Sequence, residues 1–311
     1  MRLIIALAVG ICFAAIILAL TIYFYLERSW LPKESTRQFF RLSPLPLAKK
    51  LEGYFYAVRP DLYLKPATWP WFMKCLVRNE SPDYYHGKVV TVEEAGKIVK
   101  LNQPLIRTDL EKLVPYPVAR DIILNNPLPS LAVMECPCRA QKENSCPRDV
   151  CLVVGEPFVT LVLEHSPQKA RKIGVDEALQ ILAAEEERGH IHTVWFKDAM
   201  HNRFYTICNC CTCCCLGMAS YFRGVPRIAH SGYRPLIDRE ICVGCSGCTN
   251  ICPFSAVEMD NKKAVVNYER CMGCGVCVSH CPVDAIKLLA APDRGVPLDS
   301  VLPPAGGQFG P

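Results

Sequence analysis

The chain is predicted to be α+β, with a single N-terminal transmembrane helix, a mixed α/β cysteine-rich domain and a small repeated C-terminal module. Three observations carry this. An uncharged apolar run opens the chain, helical and β-branched segments alternate through its middle, and a twelve-residue cysteine pattern occurs twice near its end. At 311 residues, half of them hydrophobic and 21% charged, the chain has the composition of a folded protein rather than a disordered one.

Residues 3 to 26 carry no charge. As a helix they would rise about 36 Å, enough to cross a hydrocarbon core of about 30 Å. A cleaved leader is the rival reading, but its apolar region is normally about 7–15 residues, and no small-residue cleavage site follows. Residues 1–26 are therefore expected to be a membrane anchor. Arg28, Lys33, Arg37 and Arg41 after it predict an inner-membrane, single-pass protein with its bulk on the cytoplasmic side.

Residues 27–87 read as a basic, aromatic connector. Between 27 and 78 there are ten Lys/Arg against four Asp/Glu, together with Trp30, Trp69 and Trp71. Cations mixed with interfacial aromatics predict contact with a membrane or a membrane partner rather than nucleic acid. The cysteine-rich domain is placed at 88–235. Val92, Ala95, Ile98 and Val99 recur at helical spacing, as do Val118, Ile122 and Ile123. Leu131–Glu135, Leu152–Glu164 (interrupted at Gly155–Pro157) and Ile191–Phe196 read as strands. Asp176 is placed to cap a helix that Gly189 stops. The tail, 291–311, has five prolines and four glycines and is expected to be disordered or laid over a surface.

Cysteine is the unusual component, 20 residues, of which 18 fall in three short blocks. Disulfide frameworks belong mostly to small secreted domains, and runs such as Cys213-Cys214-Cys215 suit soft metals better than bridges. The last block carries the strongest signal. Cys242, Cys245, Cys248 and Cys252-Pro253 have the spacing C-x2-C-x2-C-x3-C-P, and Cys271, Cys274, Cys277 and Cys281-Pro282 repeat it 29 residues later. Three cysteines two residues apart wrap one loop around three irons of a [4Fe–4S] cube, and the cysteine before proline ligates the other cube. Cluster one is thus expected on Cys242, Cys245, Cys248 and Cys281, and cluster two on Cys271, Cys274, Cys277 and Cys252. Gly244, Gly247, Gly273 and Gly275 would let the loops lie close to the cubes. A zinc site has no need of the third cysteine in phase.

With these motifs, residues 236–290 resemble a bacterial-type ferredoxin with two [4Fe–4S] clusters. The resemblance implies a pseudo-twofold α+β module that carries electrons. The five Lys/Arg and six Asp/Glu of this stretch depart from the strongly acidic surface usual in soluble members. They predict a module wired into a complex with a redox partner.

The ten upstream thiols form Cys136-Pro137-Cys138, Cys146 and Cys151, and then the run from Cys208 to Cys215. The arrangement is similar to membrane or anaerobic redox proteins in which a cysteine-rich domain precedes a dicluster ferredoxin. A further Fe–S cluster is expected on Cys136, Cys138, Cys146 and Cys151 with Cys210, Cys211 and Cys214. Zinc, inert thiols and a labile thiol switch are the alternatives. Arg139 and Arg148 would favour thiolates there. His190, His192 and His201 could complete a mixed site but read first as hydrogen-bonded histidines. Cys12 and Cys75 read as incidental. No nucleotide, haem or nucleophile motif is present in the sequence.

The leading expectation is a membrane-anchored iron–sulfur electron-transfer protein. An oxidoreductase subunit with its chemistry at 136–151/208–215 is the alternative, and a redox or metal sensor is the third class.

Overall fold

A computed structural model describes residues 14, 17–68, 85–101, 105–107, 122–124, 130–143, 146–201, 203–225 and 227–300. Its centre is a seven-stranded sheet. The chain enters with β1 (Tyr85–Val90), makes a separate pair from β2 (Leu105–Arg107) and β3 (Ile122–Leu124), and returns through β4 (Leu131–Glu135), β5 (Asp149–Val154) and β6 (Ala170–Lys172). Strands β7 (Ile191–Lys197), β8 (Arg203–Cys210) and β9 (Ile228–Ala229) complete the order β6-β4-β5-β8-β7-β1-β9. All neighbours are antiparallel except β1 and β9.

Period-two alternation sends side chains to both faces, and both faces are covered. Val89, Ala132, Val153 and Trp195 meet helices α1 (Glu34–Leu42), α2 (Leu47–Val58) and, later in the chain, Phe158–His165. Val90, Val133, Leu152, Val154 and Val194 meet Val92–Val99 and Val175–Glu187 on the other side. The residues read as a connector thus contribute a layer of this sandwich, with Phe39 fully buried and Tyr54 and Tyr56 nearly so. Short helix α3 (Pro60–Leu64) follows α2.

Several local expectations hold. Val92–Val99 (α4) is a helix, started by a capping box in which Thr91 and Glu94 exchange hydrogen bonds. Val175–Glu187 ends at Gly189, whose φ is +75°. Asp176 lies in the first turn, and Gly174 takes the cap position. Others are corrected. Ile122–Leu124 is a strand, and Phe158–His165 is a helix although five of its eight residues are valine, leucine or phenylalanine. There the buried surface against α1 and α2 outweighs β propensity. Strand β8 was not anticipated, although Phe204, Tyr205, Thr206 and Ile207 favour strand, because its second half is thiol-bearing and polar and breaks the hydrophobic alternation.

The membrane expectation is also corrected. Residues 1–13, 15 and 16 lie outside the described residues, and among those described no helix is long and apolar enough to cross a membrane. The single N-terminal transmembrane helix, and the inner-membrane location drawn from it, are therefore not supported. Residues 17–27 form a helical stretch. Its last turn is committed to the fold: Leu26 joins the core, and the buried Glu27 carboxylate accepts from Tyr54 (2.6 Å), Thr36 (2.7 Å) and the Lys33 amide (3.0 Å).

After β9, strands β10 (Tyr233–Ile237), β11 (Val257–Asp260), β12 (Lys263–Val266) and β13 (Ile286–Ala290) form two antiparallel pairs, β10 with β13 and β11 with β12. Asn261 and Lys262, both at positive φ, close the β11–β12 hairpin. The tail from 291 to 300 lies over a surface: Leu298 is buried, and Asp299 bonds Glu94 and Lys97 of α4. Residues 301–311, Cys12 and Cys75 lie outside the described residues.

Candidate metal centres

The C-terminal module builds its two half-sites alike. Each begins with a loop carrying two cysteines and runs into a short helix, Gly247–Ile251 or Val276–Ser279, that carries the third, with its fourth cysteine just beyond. In each, the amide two residues past the following proline–residue pair donates to that fourth sulfur, Ala256 N to Cys252 Sγ at 3.3 Å and Ala285 N to Cys281 Sγ at 3.2 Å. Cys281 lines one small cavity with Cys242, Cys245 and Cys248. Cys252 lies beside the other loop, where its charge acts on the Cys271, Cys274 and Cys277 thiols. Burial pushes the Cys277 thiol up to about 12, with the neighbouring sulfurs adding to the shift. An uncompensated thiolate there is costly, and a bound cation would offset that cost.

Of the four predicted glycines, Gly244, Gly273 and Gly275 have positive φ. At Gly273 a Cβ would run into the Tyr233 carbonyl oxygen and the Ser231 hydroxyl. Gly247 has no such constraint, and its loop takes the left-handed turn at Ser246 (φ +63°), the counterpart of Gly275.

The upstream blocks also meet, because β5 pairs with β8 and β8 carries Cys208 and Cys210. Beyond a bulge at Trp195/Phe196 the register is regular, and period-two alternation puts Thr206, Cys208 and Cys210 on one face. The grouping differs from the expected ligand set. Six thiols close a ring: Cys136 hydrogen-bonds Cys138 and Cys151, Cys138 reaches Cys215, Cys215 lies 3.2 Å from Cys210, and Cys208 joins Cys210 to Cys151. Cys136 and Cys215 are held well below the ordinary thiol range because two neighbouring thiols hydrogen-bond to each. The ring faces an apolar cavity of about 80 Å³ whose walls include Trp195, Phe158 and Tyr205. The other four, Cys146, Cys211, Cys213 and Cys214, form a second group with their sulfurs all within 4.8 Å of one another, and Cys211 also borders the cavity. Cys208, Cys213 and Cys215 were not singled out by spacing. The alternation of Cys208 and Cys210 with Asn209 was the available signal.

Arg139, in the short helix Pro137–Ala140, ties the blocks together. Its guanidinium is buried and donates to the Pro147 carbonyl (2.5 Å), the Asn209 carbonyl (2.7 Å) and Glu185 (2.5 Å). Burial pushes the Glu185 carboxyl up, but His190 and Arg139 outweigh it and hold it below the ordinary range. The three histidines behave as structural groups: His190 bonds Glu185, His192 bonds Asn209 and Glu186, and His201 packs on Phe39. Arg148 points to Glu135, near the surface.

The two regions share a core. Cys274 and Met272 lie in the same apolar cluster as Cys210, Cys215 and Met218, with Cys252 and Cys271 packed against it. The rings of Tyr221 and Phe254 meet at 5.5 Å, and Ser279 donates to Glu186 at 2.8 Å.

This arrangement of paired half-sites is that of a 4Fe–4S dicluster domain, and the family of that description matches residues 234–282. The C-terminal part of the chain is therefore a ferredoxin-type dicluster domain. Among characterised proteins, Ferredoxin-2 of Desulfomicrobium norvegicum is similar to it, 45% identical over 34 residues, which are 11% of this chain and 58% of that protein. The chain thus spans little more than half the length of the curated relative it matches.

Proposed function

We propose that the chain relays electrons through two [4Fe–4S] clusters to or from a redox protein partner. The clusters are held in crossed sets, Cys242, Cys245, Cys248 and Cys281 for one and Cys271, Cys274, Cys277 and Cys252 for the other. The observation that carries this reading is the cavity that Cys281 shares with the first loop, mirrored by Cys252 beside the second. Crossing draws both cubes into one small body, which favours exchange between them. The nearly neutral surface of the module gives little long-range steering and suits a docked partner more than a diffusing shuttle.

Electron paramagnetic resonance of the reduced full chain tests the assignment. Cys242→Ser and Cys281→Ser should perturb the same cluster signal, and Cys252→Ser the other. If Cys281→Ser instead alters the signal that Cys274→Ser alters, the crossed sets are wrong.

The six-thiol ring around an apolar cavity favours a second reading, an oxidoreductase subunit in which the dicluster domain serves a centre at the ring. The packing of Cys271, Cys274 and Cys252 on the core that holds Cys210 and Cys215 supports an electron path between them. Cys138→Ser with intact dicluster spectra and a lost turnover would favour this reading, and unchanged electron transfer would favour the simple relay.

A further inference from the structure

The four thiols outside the ring have a geometry of their own. Cys146 lies 3.3 Å from Cys213 and 4.0 Å from Cys214, and Cys213 lies 3.2 Å from Cys214, while Cys211 completes the group with all four sulfurs within 4.8 Å. A single ion at about 2.3 Å from four sulfurs sets them about 3.8 Å apart at the tetrahedral angle. The observed separations bracket that spacing. A cubane holds its thiolates on the outer corners of a four-iron body and would need them further apart. The tetrad is anchored from both blocks. The Cys211 carbonyl accepts from the Cys215 amide, Lys142 Nζ donates to the Cys213 carbonyl at 2.5 Å, and Arg139 holds the Pro147 carbonyl next to Cys146. Those two cations stand where a tetrathiolate centre would carry excess negative charge. Cys213 is exposed and Cys146 half-buried, which leaves an entry path, while Cys211 and Cys214 are buried.

We infer that Cys146, Cys211, Cys213 and Cys214 form a mononuclear tetrathiolate site for one soft divalent metal ion, separate from the six-thiol ring and from the dicluster domain. Zinc and iron(II) share this ligand chemistry. The upstream cysteines are then two sites, a four-sulfur site near the surface and a six-sulfur pocket beneath it. The inference does not depend on the electron-relay reading.

The test uses the full chain, purified anaerobically, with the native ion of this site exchanged for cobalt(II) as the spectroscopic probe and its release confirmed by elemental analysis. Wild type should develop the intense bands of tetrahedral cobalt–thiolate coordination at one equivalent. Cys213→Ser should lose them, whereas Cys138→Ser in the ring and Cys245→Ser in the dicluster loop should keep them. Cys213 is the exposed member, so serine there leaves the core packing in place. Independently of any variant, elemental analysis of the native chain distinguishes zinc from iron. X-ray absorption at that metal's edge should show sulfur at about 2.3 Å. For zinc, that shell should have four sulfurs and no metal–metal vector. For iron, the wild-type minus Cys213→Ser difference isolates the site. Absence of cobalt–thiolate bands in wild type, their loss in Cys138→Ser, or a metal–metal vector belonging to the metal lost in Cys213→Ser would each overturn the assignment.

Discussion

Replacing Arg139 with methionine should destabilise the cysteine-rich domain more than any conservative change at its surface. The guanidinium and the Glu185 carboxylate are each only 1% exposed and lie 2.5 Å apart. Removing one partner of a buried pair costs about 3–5 kcal/mol, because the remaining charge stays buried. Two further acceptors, the Pro147 and Asn209 carbonyls, lose their donor at about 1 kcal/mol each. His190 at 2.7 Å and Arg188 at 3.2 Å still face Glu185, which draws the total back toward about 3–4 kcal/mol. Urea unfolding followed through the buried Trp195 would read this as a midpoint lowered by about 1 M or more. The double variant Arg139→Met/Glu185→Gln should recover at least half, since it removes the orphaned charge. The pH dependence has a definite sign. Glu185 is held below its ordinary range in the folded chain. Its contribution is therefore present above the unfolded carboxylate pKa and is lost as pH falls through the folded value. Arg139→Met should flatten that acid limb. A loss under about 1 kcal/mol, or a double variant whose cost is the plain sum of the singles, would show that the two buried charges do not depend on each other.

Three further outcomes are expected. Gly273→Ala should lower the iron content of the purified chain and cost more than about 2 kcal/mol, since its positive φ and the Tyr233 carbonyl leave no room for a methyl group; a fully loaded, equally stable variant would contradict this. Ser246→Gly, at the equivalent left-handed position of the first half-site, should be neutral or stabilise by up to about 1 kcal/mol, relieving a backbone cost of about 1–2 kcal/mol against the extra freedom of glycine when unfolded; a clear drop in melting temperature would count against it. Glu52 is partly buried, which raises its carboxyl, but Lys197 and Lys49 outweigh burial and bring it down to about 2. Stability should thus be complete above pH 4.5 and decline from there toward about 2. Lys197→Met should flatten this decline, and an unchanged profile would show that the pair does not set it.

The dicluster module is legible in the amino-acid order alone. Its two loops are local: the spacing of Cys242, Cys245 and Cys248 encodes a wrap that needs no distant partner, and the hairpin turn at Asn261-Lys262 follows from neighbours alone. Helices with complete local signals, such as Val92–Val99 with its capping box, were legible for the same reason. The apolar opening run misled because composition does not say what a helix end docks against. Glu27 and Leu26 are taken up by Tyr54, Thr36 and the core, contacts that lie well along the chain. The upstream cysteines show the same divide. Spacing announced that the two blocks belong together, but only the pairing of β5 with β8 and its register decided which sulfurs meet. Cys151 and Cys208 join the buried ring, whereas Cys146, only five residues before Cys151, turns outward to Cys213. Which face a strand residue takes depends on register, and register is set by partners far away in sequence. That is why the tertiary structure divides ten similar thiols into a ring of six and a cluster of four.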